Sequence, residues 1–456
     1  MQRKKVLLFN PPSPTGEKVI KDQYCSFTSK AGYYWIPIDL LVLSGDLSSE
    51  FEVLVIDSII DQNSNHEACE RVLAFSPDHI VVLSSVLTHE SDRALIKELR
   101  SKLSFKTTFI GDVFYFSPKE MIEFEEVDSI IYEYPCSELV TYIKTGNAPC
   151  NVVYKENGLI TFSPVRKAVD IEYKTPAHHL FDLKSYSVPF MKDVLCTSVL
   201  TNFGCKYTCN YCPADSVSFR ERAISDIKEE LDYLKDKKIR NIWIRDFTFG
   251  LNKQRSHEFL ALLKSYTFQW FCLTRAEILE EGLLKSMANS GCYLVMLGLD
   301  TANNEVMKKI NRRQNTADVK TKIALAYNHE IQVMLHMILG LPGESYGSMI
   351  RTAHFVTGTK ASFLSLNFFS PRAGSSYFKQ ESIYGNSSKL LDSNYAENQD
   401  SFKRTFILNL IKYYALVVFY FQPFRVFSIL SRIKTKKQLF TILKTGLKMF
   451  SPLGNK

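Results

Sequence analysis

The sequence predicts an α/β protein: a doubly wound, Rossmann-like parallel sheet, then a partial (β/α)6 barrel, then a helical carboxyl-terminal extension. Three observations lead to this reading. Short β-rich runs alternate with amphipathic stretches of helical period up to about residue 145, the alternation breaks over 146–193, and it resumes from 194 to about 375. At 456 residues the chain exceeds one typical domain. With 45% hydrophobic and 23% charged residues, its composition is that of a folded chain rather than a disordered one.

The elements follow in order. Residues 1–5 are basic, but the apolar run behind them stops at four residues before Asn10-Pro11-Pro12, so it reads as a first strand and not as a signal peptide. Further strands are expected at 51–57, 79–85, 107–111 and 129–132, with helices at 38–47, 67–75, 89–103 and 137–144, and Pro37 suits a first helical turn. Five such βα units predict a doubly wound sheet that binds ligands at the carboxyl ends of its strands. Gly146, Pro149, Gly158, Pro164, Pro176 and Pro189 interrupt 146–193, which reads as a connector. Barrel strands are expected at 194–202, 241–245, 269–274, 293–299, 332–339 and 363–369, alternating with helices at 224–237, 253–266, 277–290, 316–328 and 345–357. Chemistry in such a barrel sits at the strand carboxyl ends.

Charge separates the extension, 376–456, from the rest. Residues 401–456 hold eleven Lys and Arg and no acid; removing those eleven from the net +8 leaves the first 400 residues at −3. The main body therefore gives no sign of nucleic-acid binding. Ten cysteines without a regular framework fit a reducing, cytosolic setting.

Three of these cysteines form Cys205-x3-Cys209-x2-Cys212, in the loop expected after the first barrel strand. Close spacing lets one loop hold several corners of an iron-sulfur cubane. No fourth cysteine lies nearby downstream before Cys272, so a 4Fe-4S cluster here would keep one iron open to an outside ligand. The alternatives are buried cysteines and a zinc site, although no His occurs between His179 and His257 to complete the latter. Cys196, Cys272 and Cys292 fall in or beside strands and are read as buried thiols.

From Thr201-Asn202-Phe203-Gly204-Cys205 through Cys212-Pro213 the chain resembles the radical S-adenosylmethionine (SAM) superfamily, and in particular its cobalamin-domain branch, over about residues 1–375. The resemblance implies that a reduced cluster cleaves SAM to a 5′-deoxyadenosyl radical that abstracts hydrogen from substrate, the protein positioning and shielding the cofactors. It also implies site residues. Tyr211 would pack beside the cofactor. Asp246 and Phe249 carry over from an Asp-Asp-x-Phe turn whose first acid is here Arg245. Arg275 would pair with the SAM carboxylate, with a plain ion pair to Glu277 as the alternative. Asp300 stands for an acid that hydrogen-bonds the ribose and is one methylene shorter. Gly340, Pro342, Gly343 and Glu344 would approach adenine or ribose, unless they form only a strand-to-helix turn.

In the amino-terminal domain, Asn10, Pro11 and Pro12, Ser84 and Ser85, and Gly111 and Asp112 resemble the loops that contact cobalamin in this branch. The cobalt-ligating Asp-x-His-x-x-Gly loop is absent after the second strand, where the chain reads Asp57-Ser-Ile-Ile-Asp61, and a Gly-Gly pair is reduced to Gly111-Asp112. A degenerate domain kept for packing is the alternative.

The extension admits two readings. Residues 406–421 fall short of the roughly 20 apolar residues that span a bilayer. Beside the basic run 432–437 and the amphipathic stretch 439–450 they fit peripheral contact with anionic lipid at the inner face of the membrane; a helical cap over an apolar substrate is the other reading. The branch's domain order implies cobalamin-dependent methyl transfer to an unactivated carbon of a small molecule, with an electron donor such as a flavodoxin or ferredoxin. Radical cyclisation or rearrangement, and a non-catalytic iron-sulfur carrier, are the alternatives.

Overall fold

The structure, a computed structural model, describes residues 3–21, 34–166, 170–188, 191, 195–378 and 402–430. It divides into two compact units, one containing Tyr33–Val188 and Arg220–Tyr233, the other Pro189–Phe219 and the chain from Leu234 on.

In the first unit, strands β1 (Lys5–Asn10), β2 (Glu52–Asp57), β3 (His79–Leu83), β4 (Lys106–Ile110) and β5 (Ser129–Ile131) pair in parallel in the order β2-β1-β3-β4-β5. Leu7 lies beside Leu54 on one side and Ile80 on the other. β3 is buried along its whole length, as expected of a parallel strand covered on both faces by its crossover helices. The order reverses at β1 and β3, where a doubly wound sheet opens a crevice at its carboxyl edge. The Asn65–Phe75 helix starts with a capping box in which Ser64 and Glu67 satisfy each other's backbone N–H.

The expected connector is corrected. Two further strands, β6 (Val152–Glu156) and β7 (Leu159–Phe162), form a hairpin that continues the sheet antiparallel beside β5. Asn157 and Gly158, both left-handed at φ 49° and 78°, make its two-residue turn. Asn-Gly between β-rich flanks is a strong hairpin signal, and here it outweighs the prolines on either side. The first unit therefore runs to Val188 rather than ending near 145.

In the second unit, β8 (Cys196–Val199), β9 (Asn241–Ile244), β10 (Gln269–Thr274), β11 (Cys292–Asp300), β12 (Gln332–Leu339) and β13 (Phe363–Phe368) pair in parallel in chain order, the sequence of a partial barrel. Buried positions alternate with half-buried ones along β12 and β13, so one face of each strand packs in the core. Trp270 is fully buried, and its indole N–H donates to the Ser290 carbonyl at 2.9 Å.

The extension closes the open edge of this sheet. The Phe402–Tyr420 helix packs on the Tyr346–Thr357 helix. The Tyr420 hydroxyl accepts from the Leu364 N–H at 3.0 Å and donates to its carbonyl at 3.2 Å, satisfying backbone on the edge strand β13. From the Pro423–Leu430 helix, Arg425 reaches the carbonyls of Phe419 at 2.6 Å, Thr359 at 2.9 Å and Ala361 at 3.0 Å. Thr359 and Ala361 follow the carboxyl end of the Tyr346–Thr357 helix and Phe419 lies in the last turn of the Phe402–Tyr420 helix, so the cation complements carbonyls at two helix ends. The basic run 432–437 and the stretch 439–450 lie outside the described residues.

Candidate metal and cofactor site

The three cysteines lie beyond the carboxyl end of β8. The chain enters their loop through Gly204 at φ 79°, where any Cβ would collide with the Ser218 carbonyl oxygen, so only glycine fits. Cys212 N–H donates to the Cys209 carbonyl at 2.9 Å, closing the turn between the last two cysteines. Thr248 Oγ1 lies 3.5 Å from Cys205 Sγ, and Arg275 Nη1 donates to Cys209 Sγ at 3.4 Å. Burial, then the charges of Cys209 and Cys205, push the Cys212 thiol up to about 12; a metal that takes the thiolate must displace that proton. Among the described residues no three His, Cys, Asp or Glu side chains are placed to hold a single metal ion. A cubane asks instead for one thiolate at each iron that the protein holds, and three thiols on one loop, with a guanidinium against one of them, fit three of its four corners.

Two clamps hold the loop. At its root, Asp246, 1% exposed, accepts from the Thr201 N–H at 2.7 Å and the Asn202 N–H at 3.0 Å. It also accepts from the Thr201 hydroxyl at 2.5 Å and the Asn202 amide at 2.7 Å. Burial pushes this carboxyl up to about 6, against the pull of those hydrogen bonds. With four donors from the loop root already on it, Asp246 is a positioning group. Phe249, its companion in the turn, is 2% exposed and packs on Phe259 and Trp270.

At its far side the loop docks on the turn after the Asn304–Lys309 helix. Asn311 Nδ2 donates to the Thr208 carbonyl at 2.6 Å and hydroxyl at 2.8 Å, Asn210 Nδ2 donates to the Lys309 carbonyl at 3.0 Å, and Asn210 N–H to the Ile310 carbonyl at 3.3 Å. Tyr211 packs against Val306, Ile310 and Leu341. Its hydroxyl donates to Asp300 Oδ2 at 2.5 Å and accepts from Arg312 Nη1 at 3.0 Å. Arg312 Nε in turn pairs with Asp300 Oδ2 at 2.9 Å, and its Nη2 donates to the Gly298 carbonyl. Burial works against the Arg312 charge, but Asp300 and Tyr211 more than offset it. Asp300 has φ 64°, an unusual conformation for a side-chain-bearing residue, which this network helps to hold.

Arg275 is 4% exposed, pairs with Glu277 at 2.6 Å and lies over the Tyr207 ring at 3.8 Å. Arg275 thus makes the ion pair of the alternative reading and also touches a thiol of the cysteine loop. Gly340 and Gly343, both left-handed, bracket Pro342, and Glu344 accepts from the Thr301 hydroxyl at 2.7 Å and the Leu341 N–H at 3.3 Å. Burial pushes Glu344 up to about 7, so it changes charge near neutrality. The structure thus brings Tyr211, Arg275 and Asp300 to the cysteine loop and ties Asp246 to its root. Arg312 and Asn311 were missed. Asn311 stands 103 residues from Thr208 and Arg312 101 from Tyr211, in a turn with no local pattern to mark them.

In the first unit the expected cobalamin residues lie at the carboxyl ends of β1, β3 and β4. Ser84 donates to Asp92 Oδ2 at 2.6 Å, and Ser85 and Thr88 hydroxyls are 3.1 Å apart. Asp112 accepts from the Val86 N–H at 2.9 Å, and Gly111 packs on the Ser84 carbonyl with no room for a side chain. Pro12 is buried, as is Pro11, whose carbonyl accepts from Lys21 Nζ at 3.1 Å; Lys21 pairs with Asp92 at 3.0 Å, both side chains fully buried. Asn10 Oδ1 and Ser58 Oγ, buried at the ends of β1 and β2, have no hydrogen-bond partner. Two orphaned polar atoms at the edge where such sheets bind ligands fit a cofactor that supplies the missing bonds.

Asp57 stands where the cobalt-ligating loop would begin. It accepts from Asn10 Nδ2 at 2.9 Å and the Tyr186 hydroxyl at 3.0 Å. Burial nevertheless pushes it up to about 6 from an ordinary 3.8. The folded state then holds this proton more tightly than the unfolded one, so the stability that this one group contributes is fully present below about pH 4 and is lost as the pH rises through about 6. Asp57→Asn cannot titrate and keeps the cap. It is expected to remove about 2–3 kcal/mol of decline from the difference between wild type and variant across that window. Denaturant midpoints at pH 4 and pH 8 check this; equal slopes in both proteins would contradict it.

With this geometry established, residues 199–356 match the family model described as the Radical SAM superfamily. Residues 199–356 are a radical SAM domain. The chain is 24% identical over 399 residues, 82% of each chain, to an uncharacterized methyltransferase, PH0819, of Pyrococcus horikoshii. It is 23% identical to the bacteriochlorophyllide d C-12(1)-methyltransferase of Chlorobaculum tepidum, over 83% of this chain and 78% of that one. Its fold is similar to that of the radical S-adenosylmethionine methyltransferase TsrM from Kitasatospora setae, solved with tryptophan and a SAM analogue bound and also with cobalamin and a [4Fe-4S] cluster bound. The TM-score is 0.61 at 17% identity, covering 82% of this chain and, in the two structures, 75% and 74% of that one.

Proposed function

We propose that this chain holds a [4Fe-4S] cluster on Cys205, Cys209 and Cys212, cleaves SAM reductively at the open iron, and with cobalamin transfers a methyl group to an unactivated carbon of a small molecule. The observation that carries this reading is a single loop offering three thiols, backed by Arg275 on Cys209 and by Arg312 through Tyr211 and Asp300. When bound, the cluster supplies the electron that splits SAM, and cobalamin a carrier for the methyl group.

The polypeptide's part is to bind, orient and shield. Arg275 and Arg312 place positive charge beside Cys209, which favours the extra negative charge of a reduced cluster and suits an amino acid's carboxylate. Tyr211, held on Asp300 and packed on Leu341, walls the loop on one side. Glu344, its carboxyl pushed up to about 7 by burial, accepts from the Thr301 hydroxyl and the Leu341 N–H and so braces the turn that carries Gly340 and Gly343. At the first unit's carboxyl edge, Asn10 and Ser58 offer their orphaned atoms to the corrin or its tail. An electron donor of flavodoxin or ferredoxin type completes the set of partners, and the extension adds peripheral contact with a membrane.

The experiment is anaerobic reconstitution with cobalamin followed by SAM and a strong reductant. 5′-Deoxyadenosine is the expected product, with S-adenosylhomocysteine beside it. Absence of both sinks the reading. 5′-Deoxyadenosine without S-adenosylhomocysteine would replace methyl transfer with ring closure or rearrangement.

A further inference from the structure

The Phe402–Tyr420 helix commits one face to the barrel: Leu408, Ile411, Ala415, Leu416 and Phe419 are buried. Its opposite face presents Phe406, Leu410, Tyr414, Val417 and Phe421, each between 39% and 72% exposed, with Tyr414 at the margin, its hydroxyl 2.9 Å from His354 Nε2 of the Tyr346–Thr357 helix. Steps of four, four, three and four residues place them in one stripe. At 1.5 Å per residue the stripe runs roughly 22 Å, and it continues onto the Pro423–Leu430 helix, where Phe424 is 46% and Phe427 74% exposed. Arg425 and Tyr420 fix these helices to the barrel, so the stripe belongs to a docked surface. A row of exposed aromatic and aliphatic side chains on a docked surface marks an interaction site.

Charge selects the partner. Residues 401–456 carry eleven Lys and Arg and no acid. A second copy laid against the same face would set two such extensions together, like charge on like charge. An anionic lipid surface complements both the apolar stripe and the basic, acid-free sequence of 401–456, in which only Lys412 and Arg425 among the described cations are buried. No helix among the described residues is long and apolar enough to cross a membrane. With its inner face on the barrel and Lys412 buried within it, this helix is suited to lie along a surface.

We propose that this face docks the chain on an anionic bilayer, with Phe421, Phe424 and Phe427 entering the interface and the extension's positive charge drawing the headgroups. The inference deepens the membrane-contact part of the proposed function and rests on it. It is separable from the chemistry, because vesicle binding needs neither cluster nor SAM.

The test is co-sedimentation of the full-length protein with vesicles of phosphatidylcholine alone or mixed with phosphatidylglycerol, paired with analytical ultracentrifugation without lipid. Binding is expected only with phosphatidylglycerol, weakening on the order of tenfold or more between about 0.1 M and 1 M salt. The double variant Phe421→Asp, Phe427→Asp is expected to lose it. Leu159→Asp, which removes a side chain 72% exposed in the first unit, is expected to keep it. Wild type that ignores the anionic vesicles, or a double variant that binds them as well as wild type, overturns the proposal. A dimer that the double variant disperses, in place of vesicle binding, assigns the face to a second copy and also overturns it.

Discussion

Cys209→Ala is expected to reduce iron and sulfide to background and to abolish 5′-deoxyadenosine formation. Cys209 is 5% exposed and receives the Arg275 guanidinium, and the remaining two thiols cannot hold a cubane against loss of a third corner. Among the described residues, Cys272 and Cys292 are no replacement: they lie in β10 and β11, where burial and mutual contact hold the Cys272 thiol well above its ordinary range. The variant is expected to stay folded, because the clamps from Asp246 and Asn311 to the loop do not involve the thiol. Circular dichroism like that of wild type, with no iron, is therefore the anticipated pair of results. Stoichiometric iron in a folded Cys209→Ala protein would refute the cysteine assignment.

Arg312→Leu should have the second largest effect, and it should reach stability as well as activity. The substitution strands the Asp300 carboxylate, 4% exposed, beside the Tyr211 hydroxyl. Removing one partner of a buried ion pair costs about 3–5 kcal/mol, because the other charge stays buried. Arg312→Lys is expected to rescue only part of this, since one ammonium cannot serve Asp300, Tyr211 and the Gly298 carbonyl together. Adding Asp300→Asn to Arg312→Leu removes the stranded charge and should restore stability without restoring SAM cleavage. Denaturant unfolding of wild type, Arg312→Leu, Asp300→Asn and the double variant gives the coupling, and SAM turnover separates the site's role from its packing. If Arg312→Leu unfolds and turns over like wild type, the network has no part in either.

How much of this was legible in the sequence varies with the range of the interaction. The parallel strands were readable because each is a short apolar run set off by turns; β10 and β12 fall on the expected residues. The β6–β7 hairpin was equally local, and its Asn157-Gly158 turn was passed over in favour of the surrounding prolines. The cysteine loop was readable from spacing alone. Its clamps were not: Asn311 meets Thr208 and Arg312 meets Tyr211 only after the barrel strands have paired. Asp246 illustrates the same limit, since its position at a strand end was evident, whereas its engagement with Thr201 and Asn202 depends on the pairing of β8 with β9.

The most direct measurement is electron paramagnetic resonance of the anaerobically reconstituted, reduced protein before and after SAM is added, alongside iron and sulfide analysis. About four irons and four sulfides per chain are expected, with a cluster signal that changes when SAM occupies the iron the polypeptide leaves open. Protein without stoichiometric iron and sulfide, or a signal that SAM leaves unmoved, would contradict the assignment of Cys205, Cys209 and Cys212 as a three-thiolate site.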